Sequence, residues 1–194
     1  MIFDSLGASV IYGKLRKGKI SGIADIVIKK PSIFIGAFAI QIVMLNFYDK
    51  YAFIQTYSPY IHFAVYVLLF IGLWYNKDNK YFNIISIGVL LNFIVIFANG
   101  GKMPVSVDAL QRGGLNYLIP NLEAGKIATH QALTSTTRLK FLADVLILPR
   151  PYPLPKAFSI GDLVMATGTF LLVTNAMIKK VKNHEFTGKK KQYS

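Results

Sequence analysis

Four long runs of apolar residues, separated by short polar stretches, dominate the pattern along this chain. They cover residues 32–47, 57–75, 81–98 and 158–178. A helix needs roughly 20 mainly apolar residues to cross the hydrocarbon core of a bilayer. Aromatic residues such as Tyr57, Trp74 and Tyr81 stand at the ends of these runs, as is typical of membrane interfaces. The pattern therefore predicts an all-α integral membrane protein.

Residues 1–13 are apolar as well, but the run is short. At 1.5 Å per residue, a helix of this length reaches only about 20 Å. Three interpretations stay open: a thin first span, a helix lying in the interface, or a span that continues into the next loop. We therefore expect four or five transmembrane helices.

Lysine and arginine set the predicted orientation. The segments 14–30, 77–80 and 179–194 together hold 14 of the 22 basic residues. Cytoplasmic loops of membrane proteins are rich in these residues. We therefore expect a multi-pass protein of the cell membrane with a cytoplasmic C-terminus. Residues 1–180 would form one membrane domain, followed by a basic cytoplasmic tail over residues 181–194.

Composition limits the partners and cofactors. The net charge of +13 could indicate nucleic acid, but only 16% of residues are charged and 53% are hydrophobic. We interpret the lysines as topology signals and expect the lipid bilayer as partner, with anionic lipid at the basic tail and no nucleic acid. A membrane protein partner is a further hypothesis. There is no cysteine, and no nucleotide or zinc-peptidase motif, so we expect no cofactor or metal.

The long segment over residues 99–156 separates the third and fourth runs. Long connectors with many apolar residues are usually functional, so we expect a partly helical extracytoplasmic cap, re-entrant or packed on the helix ends. Its sequence predicts a glycine helix end at 99–101, a short helix at 106–113 and one or two helical turns at 125–133. Four alternating prolines predict an extended strap over residues 148–156.

Two acidic residues are candidates for catalysis. Asp162 stands at the head of the last run, where a carboxylate is costly and is often functional. Alternatively, Ser159 caps the helix and Asp162 completes the cap. Asp144 precedes a second apolar stretch, and its alternative role is to pair with a nearby cation. The candidate cations are Arg138, Lys140 and Lys102.

Further polar residues could form a ligand site with these acids. Asn92 and Asn99 are seven residues apart and share a helix face. Lys102, His130 and Arg138 belong to the outer segment. A rim with both basic and acidic groups suits a phosphate or a carboxylate. We therefore predict an extracytoplasmic pocket for a lipid head group, a small ligand or a protein partner.

Motifs in the second half of the chain carry a family resemblance. NGGKMPVS at residues 99–106, followed by His130, TRL at 137–139, LAD at 142–144 and FSIGD at 158–162, resembles an uncharacterised family of small bacterial multi-pass membrane proteins. That family is a domain of unknown function, and the resemblance covers nearly the whole chain. It implies the membrane fold but no activity.

A weaker resemblance covers residues 141–175 alone. LAD at 142–144 and FSIGD at 158–162 are similar to the end of lipoprotein signal peptidases, which are membrane aspartyl proteases. The resemblance matches Asp162 to a catalytic aspartate and Asp144 to another acidic position, while the second catalytic position falls on Ser135. It implies a membrane-embedded hydrolase or peptidase as the alternative function. The sequence leaves open whether the protein is an enzyme.

Overall fold

The computed structural model describes the backbone of residues 1–191 and the side chains of residues 1–179. The chain is mostly helical, at 65%. The α-helices in the described part are α1 Ile2–Leu15, α2 Pro31–Phe47, α3 Ala52–Tyr75, α4 Lys80–Ala98, α5 Val107–Arg112, α6 Ile119–Glu123 and α7 Ile160–Lys191. The strands there are β1 Met103–Val105, β2 His130–Ala132, β3 Leu146–Leu148 and β4 Lys156–Phe158. Turns of 3-10 helix cover Ile20–Asp25, Asn116–Leu118 and Lys140–Leu142.

Each of the four long apolar runs forms a helix. Within the described residues, three helical segments are long and apolar enough to cross a membrane, namely Ala52–Tyr75, Lys80–Ala98 and Ile160–Lys179. Helix α2 is apolar but shorter, at 17 residues. Helix α3 begins at Ala52, earlier than its predicted start, and includes Pro59. A proline removes one backbone donor, which a helix with tertiary support tolerates.

The N-terminal run forms helix α1, which lies along α7 in the same direction. Near its start, the Ser5 hydroxyl donates to the carbonyl of Ala166. Near its end, Gly13 lies against Met177, so closely that a Cβ at Gly13 would overlap the methionine side chain. The small side chains of α1 therefore allow close packing against α7 over most of the length of α1.

Helices α4 and α7 run antiparallel and approach closely through glycines. Gly88 of α4 lies against the backbone of Gly161, and Gly168 of α7 lies against Ile85. Small residues at such crossings are typical of helices packed within membranes. This contact fixes the head of α7 against the middle of α4, where the polar candidates lie.

The predicted basic segments meet at one end of the helices. Lys29, at the end of the first linker, forms an ion pair of 2.7 Å with Asp78 in the turn between α3 and α4. The backbone amide of Lys19 donates to the carbonyl of Met177 on α7. Helix α7 continues from the same end to Lys191. The side chains of the predicted tail over residues 181–194 lie outside the described residues.

The segment over residues 99–156 forms a cap at the opposite end. Gly100 and Gly101 have positive φ values of 80° and 92° and end α4 as predicted. Ser106 caps α5 by accepting a hydrogen bond from the amide of Ala109, also as predicted. The glycine turn at the end of α4 therefore positions the start of the NGGKMPVS motif, and the capping of α5 by Ser106 positions its end.

Two cap predictions were wrong in form. Residues 125–133 do not form a helix; part of them forms β2, which pairs in parallel with β1. The proline-rich stretch begins with a turn closed by the amide of Tyr152 and the carbonyl of Pro149, rather than an extended strand. Proline fits turn positions as readily as extended ones. The stretch then enters β4, which pairs antiparallel with β3.

Candidate functional site

The head of helix α7 is closed by a reciprocal cap. The Ser159 hydroxyl accepts a hydrogen bond from the Asp162 amide at 2.9 Å. The Asp162 carboxylate in turn accepts from the Ser159 amide at 3.1 Å. This geometry is the capping box, and it favours an acid near the positive end of the helix dipole. The cap accounts for one Asp162 oxygen and leaves Oδ1 available to another group.

Asn92 on α4 binds that remaining oxygen. Its Nδ2 donates to Asp162 Oδ1 at 3.0 Å, and its Oδ1 accepts from the Ser159 hydroxyl at 2.8 Å. A Cβ at Gly161 would overlap Asn92 Oδ1. The glycine is therefore required for the two helices to bring this network together. Ser159 is fully buried, whereas Asp162 is half-buried and faces a cavity.

Strand β1 brings Asp144 to the same cavity. The Asp144 amide donates to the carbonyl of Pro104 at 2.9 Å, and its carbonyl accepts from the Ser106 amide at 3.1 Å. These bonds fix the backbone of Asp144 beside the NGGKMPVS motif. The residue is only 5% exposed, and no donor among the described residues reaches its Oδ1. Such an orphaned buried acceptor is costly and requires an explanation.

His130 reaches Asp144 from the other side of β1. The β1–β2 register pairs it with Met103, and its Nδ1 lies 2.7 Å from the Thr129 hydroxyl. Its Nε2 lies 3.6 Å from Asp144 Oδ2. That separation is too long for a good hydrogen bond. Asp144 therefore lies beside a histidine rather than the lysine or arginine that charge complementarity suggested.

Burial keeps this pair uncharged near neutral pH. Burial raises the pKa of Asp144 to about 8, and the negative charge of Asp162 raises it further. Burial also lowers the pKa of His130, although the Asp162 charge acts in the opposite direction. The histidine keeps 40% of its side-chain surface accessible because it borders two cavities. At pH 7 both partners are therefore predominantly neutral, and the contact is not an ion pair.

These groups surround a cavity of about 220 Å³, which we call the polar cavity. It is lined by His62, Tyr66, Asn92, Ile96, Met103, Thr129, His130, Asp144 and Asp162. The sequence-predicted residues Asn92, His130, Asp144 and Asp162 thus come together, although they lie far apart along the chain.

His62 and Tyr66 are members of the cavity that the sequence did not single out. Both lie on α3, and the His62 Nδ1 is 3.0 Å from the carbonyl of Gly101. Their i, i+4 spacing places two polar side chains on one face of an apolar helix. That spacing is the signal that could have found them.

The other three predicted ligand residues lie outside the polar cavity. The Asn99 side chain forms two hydrogen bonds with the backbone of Arg138. It accepts one from the Arg138 amide at 2.8 Å and donates one to the Arg138 carbonyl at 3.0 Å. The Lys102 ammonium donates to the Tyr48 hydroxyl at 2.7 Å and to the carbonyl of Ile127 at 2.8 Å. Asn99 and Lys102 therefore hold cap segments in position instead of offering a charge to the cavity.

Two of the three positions that the resemblance to aspartyl proteases matches lie in the cavity, namely the two acidic ones. Asp144 and Asp162 both line it, whereas Ser135 is exposed and is not among the lining residues. In the described part of the chain, no group of three or more His, Cys, Asp or Glu side chains is arranged to hold a metal ion. The side chains that line the cavity can form hydrogen bonds and transfer protons.

Comparison with known proteins gives a family but no activity. An uncharacterized protein of Thermotoga maritima is 29% identical over 106 residues, which are 55% of this chain and 58% of that protein. The chain thus matches only somewhat more than half of that relative. No solved structure matches the fold. The model of a family of unknown function, DUF5317, matches residues 25–174, so the chain belongs to that family.

Proposed function

We propose that this chain is a multi-pass membrane protein whose polar cavity binds the ammonium group of a small ligand or lipid head group on the extracytoplasmic side. The observation that carries the proposal is the pair of carboxyl groups on the wall of the cavity, Asp162 and the buried Asp144, whose Oδ1 no donor among the described residues reaches. A cationic ligand that donates hydrogen bonds would complement this pair.

The outer surface of the helices supports their insertion in a bilayer. Large apolar side chains point outward on each long helix, including Phe38, Phe63, Ile87 and Leu163. Exposed apolar surface of this extent is costly in water and normally contacts lipid or protein. The meeting of the basic linker, the turn near Asp78 and the end of α7 at one end supports a cytoplasmic location for that end.

Helix α1 bears on the number of crossings. Its parallel course along α7, from Ser5 beside Ala166 to Gly13 beside Met177, supports an outer N-terminus and a fifth crossing. The cap would then lie on the outer side, above the polar cavity.

The charges of the cavity favour a cation over a phosphate. Two carboxyl groups line it, and no lysine or arginine does among the described residues. Lys102 directly precedes the cavity residue Met103, but its ammonium group donates hydrogen bonds to Tyr48 and Ile127. A phosphate would therefore face Asp162 without a compensating charge. An ammonium group would favour the ionised form of Asp144 and would then gain charge-assisted hydrogen bonds with both carboxylates.

Binding of ethylamine to the purified protein tests the proposal. Calorimetry in a mild detergent at pH 7 should show ethylamine binding and no binding of inorganic phosphate. Asp144→Asn should weaken ethylamine binding at least tenfold. The matched control is Asp108→Asn, since Asp108 also belongs to the cap but is exposed and paired with Arg112. Phosphate binding with no ethylamine binding would refute the proposal.

A hydrolase is the second candidate, favoured by the different states of the two carboxyl groups. Asp144 holds a proton near neutral pH, while both Asp162 oxygens accept hydrogen bonds. Asp162 could take a proton from water as it attacks an ester or amide carbonyl, while Asp144 gives its proton to the carbonyl oxygen. The two acids would thus act together without a group at Ser135.

Vesicles of phosphatidylethanolamine test the hydrolase directly. Mass spectrometry should detect hydrolysis products with the natural chain and with Asp108→Asn, but not with Asp144→Asn or Asp162→Asn. If all four chains leave the lipid unchanged, the protein does not hydrolyse this lipid.

A further inference from the structure

A second cavity, of about 300 Å³, lies inside the cap next to the polar cavity. We call it the apolar cavity, because most of its wall is formed by aliphatic and aromatic side chains. Those that the argument uses are Val105, Leu110, Leu118, Leu122 and Ile127. The cavity is partly open to the surface, and its apolar wall offers water few hydrogen-bond partners. Such a wall suits an apolar group of a ligand.

The two cavities share a wall. His130 and Asp144 line both of them. No donor among the described residues reaches Asp144 Oδ1, and Asp144 Oδ2 lies 3.6 Å from His130 Nε2. The boundary is therefore made of side chains that are not locked to each other by a hydrogen bond. A ligand that occupies both cavities would pass beside these two residues.

The apolar cavity also borders a groove along the proline-rich stretch. This groove, of about 810 Å³, shares Leu115, Tyr117, Pro155 and Lys156 with the apolar cavity. The charge of Lys156 is paired with Asp4, with 2.7 Å between the ammonium nitrogen and the carboxylate oxygen. The groove, the apolar cavity and the polar cavity are therefore neighbours in that order and share lining residues.

We infer that the ligand is a single-chain amphiphile, with its hydrocarbon chain in the apolar cavity and its ammonium group in the polar cavity. This inference rests on the proposed function, since it assigns the rest of the ligand whose head group that function describes. Complementarity is the argument: aliphatic walls receive the chain, and Asp144 and Asp162 at the end receive the cation.

A series of alkylamines from ethylamine to hexylamine tests the chain. Each methylene transferred from water contributes about 0.8 kcal/mol. The dissociation constant should therefore fall about fourfold with each added methylene. Calorimetry with the full chain in a mild detergent gives these constants, and detergent without protein corrects for partition into micelles.

Filling the apolar cavity is the matched perturbation. Leu118→Trp should abolish the dependence on chain length and leave ethylamine binding unchanged. Leu118 is only partly buried, so the larger side chain can enter the cavity without replacing a fully buried core residue. Ile127→Trp, which is also partly buried, provides a second variant if the first does not fold.

The outcomes separate the inference from the proposed function. Ethylamine binding that Asp144→Asn weakens, with equal affinity for hexylamine, would overturn the chain site and leave the head-group site intact. The same chain-length dependence in Leu118→Trp and Ile127→Trp would also overturn it, because the chain would then lie elsewhere. If no amine binds, the proposed function fails and the inference fails with it.

Discussion

Replacing Gly161 with alanine should separate helices α4 and α7 and break the network at Asp162. The added Cβ would overlap Asn92 Oδ1 and would lie 2.8 Å from the carbonyl oxygen of Gly88. The asparagine could turn away, but the backbone oxygen cannot move without its helix. We therefore expect Gly161→Ala to fold less stably than the natural chain.

The size of the effect follows from the hydrogen bonds that are lost. The bond from Asn92 to the Asp162 carboxylate belongs to the charged class, which contributes about 1.5–3 kcal/mol, and the bond from Ser159 to Asn92 contributes about 0.5–1.5 kcal/mol. Alanine regains up to about 1 kcal/mol through its higher helix propensity. The expected loss in the free energy of unfolding is therefore about 1–4.5 kcal/mol.

Unfolding in a mild detergent measures this loss, and Gly36→Ala is the control. Gly36 also lies in an apolar helix, but a Cβ there meets no atom within 4 Å. The control should be as stable as the natural chain or slightly more stable. Equal unfolding midpoints for Gly161→Ala and Gly36→Ala would show that close approach of α4 and α7 does not hold the network.

Three other predictions address protonation, the cap and topology. Burial raises the pKa of Asp144 to about 8, so its folded state retains a proton that the unfolded state releases near pH 4. The contribution of this group to stability is therefore complete below about pH 4 and is lost as the pH rises to 8, by up to about 1.4 kcal/mol per pH unit. Unfolding midpoints across this range should fall for the natural chain and should fall less for Asp144→Asn. Parallel profiles of the two chains would contradict the raised pKa of Asp144. Lys102→Met removes bonds to Tyr48 and to two carbonyls, so limited proteolysis should cut the cap faster, while ethylamine affinity changes little; unchanged proteolysis would show that Lys102 does not hold the cap. A reporter active only in the cytoplasm should work when fused after Ser194 and remain silent when inserted near Asn121; the reverse result would invert the topology.

The sequence predicted the long helices well, because length and apolar content alone determine them. Helices α2, α4 and α7 begin within two residues of their predicted starts. Helix α3 begins at Ala52, before its predicted start at residue 57, because the helix continues beyond the apolar run. Capping by Ser106 was also predictable, since it depends on residues within one turn.

The cap was harder to predict, because its structure depends on pairing between distant segments. Three residues are too few to reveal β1 or β2 by alternation, and their register becomes visible only in three dimensions. The same pairing decides the neighbour of Asp144, so the expected lysine or arginine partner was replaced by His130. Nothing local to His62 indicates that the cap folds over it, so its contact with the carbonyl of Gly101 becomes visible only in three dimensions.

The position of β1 between two neighbours has a consequence for how relatives of this chain can differ. His130 is aligned by pairing along one edge of the strand and Asp144 by backbone bonds along the other. Neither alignment depends on the path that the intervening loops take. Insertions or deletions between residues 133 and 139 can therefore reshape the outer surface, and changes between residues 113 and 128 can reshape the apolar cavity, while the histidine and the acid keep their spacing.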